Sequence, residues 1–210
     1  RKLANKLWNV ARLMLSQAEG VEPDARPRAV EERWIMSRLD EARELLDEAI
    51  PRFEFAAAVA ALYHLTFDDF CDWYLESIKP RLAEEDVRAT ALAALERLLK
   101  LLHPMMPHVT EEIWTQLPGR ESRLIVAPWP QPAAVDGDFA ALDRAQTAAR
   151  IYRRSQVRIA LDGDALRIFE SVVRPTGGEQ GDVAAELARI QKEIDRAEKM
   201  LANEKFVANA

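Results

Sequence analysis

The run Phe70-Cys71-Asp72-Trp73-Tyr74-Leu75-Glu76-Ser77-Ile78-Lys79-Pro80 does most to restrict how this chain can fold. It sets three aromatics, two acids and a lysine within about three helical turns and ends at a proline, which an α-helix rarely passes. A core helix calls for the aromatics. A solvated helix face does not call for charged groups wedged among large apolar ones. A helix that borders a binding surface calls for both, because stacking and charge-assisted hydrogen bonding then act at one spot.

Apolar periodicity places the remaining elements. Leu3, Leu7, Val10 and Met14 recur at helical spacing, which predicts a helix from the start to about Gln17. Glu19 to Asp24 reads as a loop, and Pro27 suits the start of a second helix. Ile35, Leu39, Ala42, Leu46 and Ala49 line one face of that helix, which ends before Pro51. A third helix over Arg52 to Lys79 is long enough to require a bend or break. Val87, Ala91, Leu95, Leu98 and Leu102 mark a fourth, stopped by His103-Pro104, and His108 to Leu117 a short fifth. Leu124 to Pro130 is extended and broken by prolines, so it crosses a surface rather than joining a sheet. A sixth helix covers about Phe139 to Arg154.

The stretch 156–182 is ambiguous. Val157 to Leu161 reads as a strand turning at Asp162-Gly163-Asp164, while Leu166, Phe169 and Val173 read equally as one side of a short helix. Thr176 to Gly181 is a flexible linker. Beyond it Val183, Leu187, Ile190, Ile194, Ala197 and Leu201 alternate four and three apart, an a/d heptad stripe that needs a partner helix. The fold class is therefore mainly α: an antiparallel helical bundle over 1–135, a small irregular connector over 136–182 and the first arm of a coiled coil over 183–210. Arg1 falls inside a helix without an initiator Met and Ala210 follows no stop signal, so the chain reads as a piece of a longer protein.

Charge bears on the partner. The net charge of −6 argues against general nucleic-acid affinity. Its distribution does not, since residues 1–18 carry Arg1, Lys2, Lys6 and Arg12 without an acid, and residues 144–158 carry Arg144, Arg150, Arg153, Arg154 and Arg158 without one. Each run is either a grip for an anionic partner or a solvated helix face. No apolar run approaches the ~20 residues of a membrane span, and no signal peptide is visible. Cys71 is the single cysteine, so no internal disulfide forms, as in a reducing cytoplasm.

Two constellations could carry recognition. Lys6, Asn9 and Leu13 share a stripe of the first helix, flanked by Lys2 and Arg12. Lysine suits a phosphate, asparagine a base edge, and an apolar tip a splayed base; the alternative is a solvent face. In the second, Trp73 and Glu76 share one face and Leu75 and Lys79 another, with Trp73 and Tyr74 assigned to the core. Glu76 and Lys79 could pair with each other or meet a base edge and a phosphate. Catalysis has no comparable support. His103 and His108 straddle two prolines and match no metal-ligand spacing. Gly177-Gly178 lacks the lysine of a phosphate loop.

Together these motifs resemble the C-terminal part of the valyl-tRNA synthetases. Asn5-Lys6-Leu7-Trp8-Asn9 resembles the opening of their anticodon-binding domain and Arg33-Trp34-Ile35-Met36-Ser37-Arg38-Leu39 its second helix. Phe70 to Pro80 favours the valine enzyme over its isoleucine and leucine relatives, His103-Pro104-Met105-Met106-Pro107-His108-Val109-Thr110-Glu111-Glu112-Ile113-Trp114 is shared by all three, and Ala127-Pro128-Trp129-Pro130 follows the valine pattern. Leu201 to Ala210 resembles the turn approach of the family's coiled coil, so the resemblance covers about 1–135 and 183–210.

The resemblance implies a cytoplasmic, monomeric parent enzyme that activates valine with ATP and Mg and attaches it to its tRNA. The catalytic and editing domains lie upstream. This part has no catalytic site, cofactor or metal of its own and does not enter a membrane. Carried over by position, Lys6, Asn9, Arg12 and Leu13 meet the anticodon loop from the first helix, and Leu75, Glu76 and Lys79 from the third. Valine anticodons hold a central adenine beside a cytosine. Asn9 would read a base edge, Glu76 would accept from the cytosine amine, Leu13 or Leu75 would form the apolar platform, and Lys6 would hold a phosphate. Arg189, Lys192, Arg196, Lys199 and Lys205 of the coiled coil would lean on the tRNA body. Departures are Leu13, where many relatives carry an aromatic, and 136–182, which is shorter than the usual linking region. The rivals are the same module of an isoleucine or leucine enzyme and a helical protein-interaction scaffold that binds no RNA.

Overall fold

A computed structural model describes residues 2–120, 122–155 and 161–173, with the backbone alone for 153–155. Among these residues the regular structure is helical and no strand occurs. The elements are α1 (Lys2–Ser16), α2 (Val30–Ala49), α3 (Phe55–His64), a π-helix (Leu65–Tyr74), α4 (Leu75–Ile78), a 3₁₀ turn (Lys79–Arg81), α5 (Glu85–Leu102), α6 (Pro107–Trp114), a second 3₁₀ turn (Leu124–Val126), α7 (Ala140–Ser155) and α8 (Gly163–Val173). No helix of the described residues is long and apolar enough to cross a membrane.

The expected mainly α bundle is what forms. Its centre is α5, which is apolar nearly all round from Ala89 to Leu95 and has neighbours on most sides. Leu7, Val10 and Met14 of α1 and Ile35, Leu39, Ala42, Leu46 and Ala49 of α2 are buried as their spacing predicts. The largest buried side chains are Trp34, Trp73, Tyr74 and Phe70. At roughly 1.5–3 kcal/mol for each buried Leu, Ile, Met or Phe, this shared core outweighs any surface ion pair as a source of stability.

Several boundaries move. Pro27 does not open α2: the chain stays irregular to Ala29, and the Glu32 carboxylate reaches back to accept from the Arg28 and Ala29 N–H groups at 2.7 and 3.0 Å. The break expected in the third helix is a change of winding. The chain stays helical from Phe55 to Ile78 but runs as a π-helix from Leu65 to Tyr74, and the Leu75 N–H reaches five residues back to Phe70 O. Residues 124–130 cross the bundle surface as expected, with one 3₁₀ turn within them. Trp129 Nε1 donates to Asp47 Oδ1 at 2.9 Å there, and just beyond, Arg97 donates to Gln131 O at 2.6 Å.

The segment after 135 is more regular than the sequence indicates. Residues 163–173 form a helix, and its buried stripe is Ala165, Ile168, Phe169 and Val172; the expected stripe is wrong at Leu166, which is exposed. The reason is packing, because α8 lies on both α7 and α4 and those two neighbours select the buried face. Of the alternative strand only Leu161 is described, and it is not extended into one. The heptad segment and its cations Arg189, Lys192, Arg196, Lys199 and Lys205 lie outside the described residues.

Candidate nucleic-acid interface

Where α1 passes the end of the π-helix and α4, an open groove of about 410 Å³ forms. It is lined by Lys6, Asn9, Val10 and Leu13 from one side and Cys71, Asp72, Leu75, Glu76 and Lys79 from the other. Both halves follow from local winding. Positions 6, 9 and 13 fall on one stripe of an ordinary α-helix, beside the buried stripe of Leu7, Val10 and Met14 that packs into the core. On the other wall the π winding turns each residue through a smaller angle than an α-helix does. Trp73 is buried in the core at 1% exposure, while Glu76 three residues later lines the groove. Trp73 does not line the groove that Glu76 lines, so the two do not share its face.

The structure thus brings together Lys6, Asn9, Leu13, Leu75, Glu76 and Lys79. Arg12 lies apart. It is exposed further round α1 and lines a different groove with Trp8, Glu112 and Gln116. Leu75 is buried and forms floor rather than platform, whereas Leu13 is half-buried and Asn9 exposed. Trp73 and Tyr74 are core, as assigned.

The cations in the groove are not loose. Lys6 Nζ contacts Asp72 Oδ1 and lies 3.8 Å from the centroid of the Phe67 ring. Phe67 in turn stacks on Tyr63 at 5.2 Å. Lys79 Nζ donates to Glu76 Oε1 at 2.6 Å, leaving Oε2 for an incoming donor. Two lysines therefore face two carboxylates, and the charges of the described lining residues balance. Burial pushes the Cys71 thiol up to about 12, with the Lys6 charge opposing, so the groove holds no thiolate. Among the described residues no group of three or more His, Cys, Asp or Glu side chains sits together as metal ligands would. The wall therefore offers an amide, one carboxylate oxygen and an apolar patch.

Sequence reasoning missed Asp72 and Phe67, which hold Lys6. The signal for Asp72 was present, since positions 72, 76 and 79 are spaced four and three apart and share a stripe. Of the second basic run, Arg144 and Arg150 are exposed, and Arg150 lies 3.9 Å from Asp68.

The family described as the anticodon-binding domain of tRNA ligase matches residues 32–168. The chain is 41% identical over 148 residues to a valine–tRNA ligase of Mycobacterium tuberculosis, covering 69% of this chain and 17% of that protein. It is 36% identical over 191 residues to that of Mycobacterium leprae, covering 89% and 21%. It is 32% identical over 276 residues to that of Brucella suis, covering 100% and 30%. The chain thus spans less than a third of the length of these relatives.

Proposed function

Since this chain belongs to the anticodon-binding domain family of the tRNA ligases, we propose that its α1–α4 groove reads the anticodon of a valine tRNA. It does so as the recognition module of a valine–tRNA ligase whose ATP-dependent chemistry resides elsewhere in a longer protein. The observation that carries the reading is the convergence of Asn9, Leu13 and Glu76, from helices far apart in sequence, on one groove of about 410 Å³. That volume falls within the ~300–1,000 Å³ of small-ligand pockets, which gives room for one or two splayed bases.

The roles follow from the side chains. The Asn9 amide donates and accepts, as a base edge requires. Glu76 Oε2 accepts from the exocyclic amine of a cytosine. Leu13 offers its half-buried side chain to a base face, over a floor made by Leu75. Exposed Lys2 and Arg12 meet phosphates alongside. The names of the relatives favour valine over the isoleucine and leucine alternatives.

The test is a titration of the chain with a valine tRNA and with the same tRNA carrying a swapped anticodon, at two salt concentrations. The expected result is tighter binding of the valine anticodon at both. Asn9→Ala narrows that preference by about 1–3 kcal/mol, the cost of one lost bidentate base contact. Equal losses on both tRNAs would remove Asn9 from the readout, and a wild-type chain blind to the anticodon would overturn the function.

A further inference from the structure

We infer that Asp72 is a specificity-determining residue of the groove: it withholds the Lys6 ammonium from RNA phosphate, so that the groove accepts bases and declines backbone. The inference rests on reading the groove as the anticodon site. Lys6 is the cation that position alone would assign to a phosphate, yet its ammonium is engaged on two sides. Asp72 of the π-helix takes one side, and the Phe67 ring, 3.8 Å from Nζ, takes the other. Phe67 is held in turn by its stack on Tyr63. The Lys6 side chain keeps only 25% of its exposure.

A phosphate entering the groove would have to displace the Asp72 carboxylate from Lys6 and then lie beside Asp72 and Glu76. Juxtaposed like charges repel, and that repulsion suppresses the wrong ligand more than it strengthens the right one. A nucleobase meets no such penalty, because its edge and face carry no net charge. Phosphates can instead be met by Lys2 and Arg12, both exposed on α1. Asp72 retains 40% exposure, so its pairing with Lys6 adds little to stability by itself.

The experiment compares wild type, Asp72→Asn, Lys6→Gln and the double variant. The probes are the anticodon stem–loop of a valine tRNA, the same stem–loop with a swapped anticodon, and oligouridine, each titrated across a salt series. Releasing Lys6 adds about one phosphate contact, which steepens the log–log salt slope by ~0.7 on a single strand. Asp72→Asn is therefore expected to tighten oligouridine and the swapped stem–loop by about threefold to tenfold at low salt. The preference for the cognate loop should shrink in step. Adding Lys6→Gln should return the slope to the wild-type value. An Asp72 that merely braces the fold would weaken all three RNAs alike and leave the slope unchanged.

An unchanged slope in Asp72→Asn, or a steeper slope that survives Lys6→Gln, overturns the proposal. If Asp72→Asn does not fold, Lys6→Gln alone decides. A slope equal to wild type supports a withheld ammonium, and a slope shallower by ~0.7 shows that Lys6 already grips phosphate and overturns it. A wild-type chain that does not distinguish the two stem–loops refutes the anticodon reading, while the oligouridine slopes still decide the role of Asp72.

Discussion

Charges inside this bundle are matched by partners rather than tolerated. Glu31 is fully buried and meets Arg81 at 3.2 Å and Arg167 at 3.1 Å, so one carboxylate joins α2 to the 3₁₀ turn and to α8. Asp69 is less well matched. Burial pushes its carboxyl above the usual range, and the hydrogen bond from Gln146 Nε2 at 2.6 Å and the Arg38 charge only partly offset this. A raised folded-state value means that the stability Asp69 contributes is complete below its ordinary value of 3.8 and is lost as pH rises through the folded one. Asp69→Asn keeps the acceptor for Gln146 and removes the half-buried charge. It is expected to raise Tm at pH 7 by about 2–4 °C, with the gain vanishing in melts at about pH 3. An equal gain at both pH values would show that charge is not the cause.

At the scale of elements, the π-helix decides the binding wall and one turn stores strain. Phe53 closes the connection between α2 and α3 with φ of 61°, a left-handed conformation that costs a non-glycine residue roughly 1–2 kcal/mol. Its N–H donates to Ile50 O at 3.0 Å, and the ring, 78% exposed, makes an edge-to-face contact with Phe55. Phe53→Gly keeps the turn and relieves the strain. After glycine's own entropy cost, Tm is expected to rise by about 2–4 °C in a thermal melt. A fall in Tm would mean that the contact with Phe55 outweighs the backbone strain.

At the scale of the whole molecule, α7 and α8 share the core of the helices before them. Leu142, Ala145 and Ala148 of α7 and Ala165, Ile168 and Val172 of α8 are buried within it. From α2, Trp34 Nε1 and Arg38 donate to Asp143 of α7 at 2.8 and 3.0 Å. Ile168 is wholly buried, so Ile168→Ala should cost about 2–5 kcal/mol and lower the midpoint of one cooperative denaturant transition. A separate early transition, leaving the main one in place, would show instead that 140–173 folds by itself.

Much of this molecule could be read without coordinates. Apolar residues three and four apart determined α1, α2, α5 and α7 to within a few residues, because each helix must bury one stripe. The motif run from Phe70 to Pro80 pointed to the family that residues 32–168 match. Tertiary structure alone decided the rest. The ten-residue π winding before α4 is not visible in the apolar periodicity, and the α8 stripe depends on two neighbours at once. The state of Lys6 depends on Asp72, 66 positions away in the chain. Local sequence determines which residues can share a stripe; only packing brings two stripes together and decides whether a charge meets solvent or another charge.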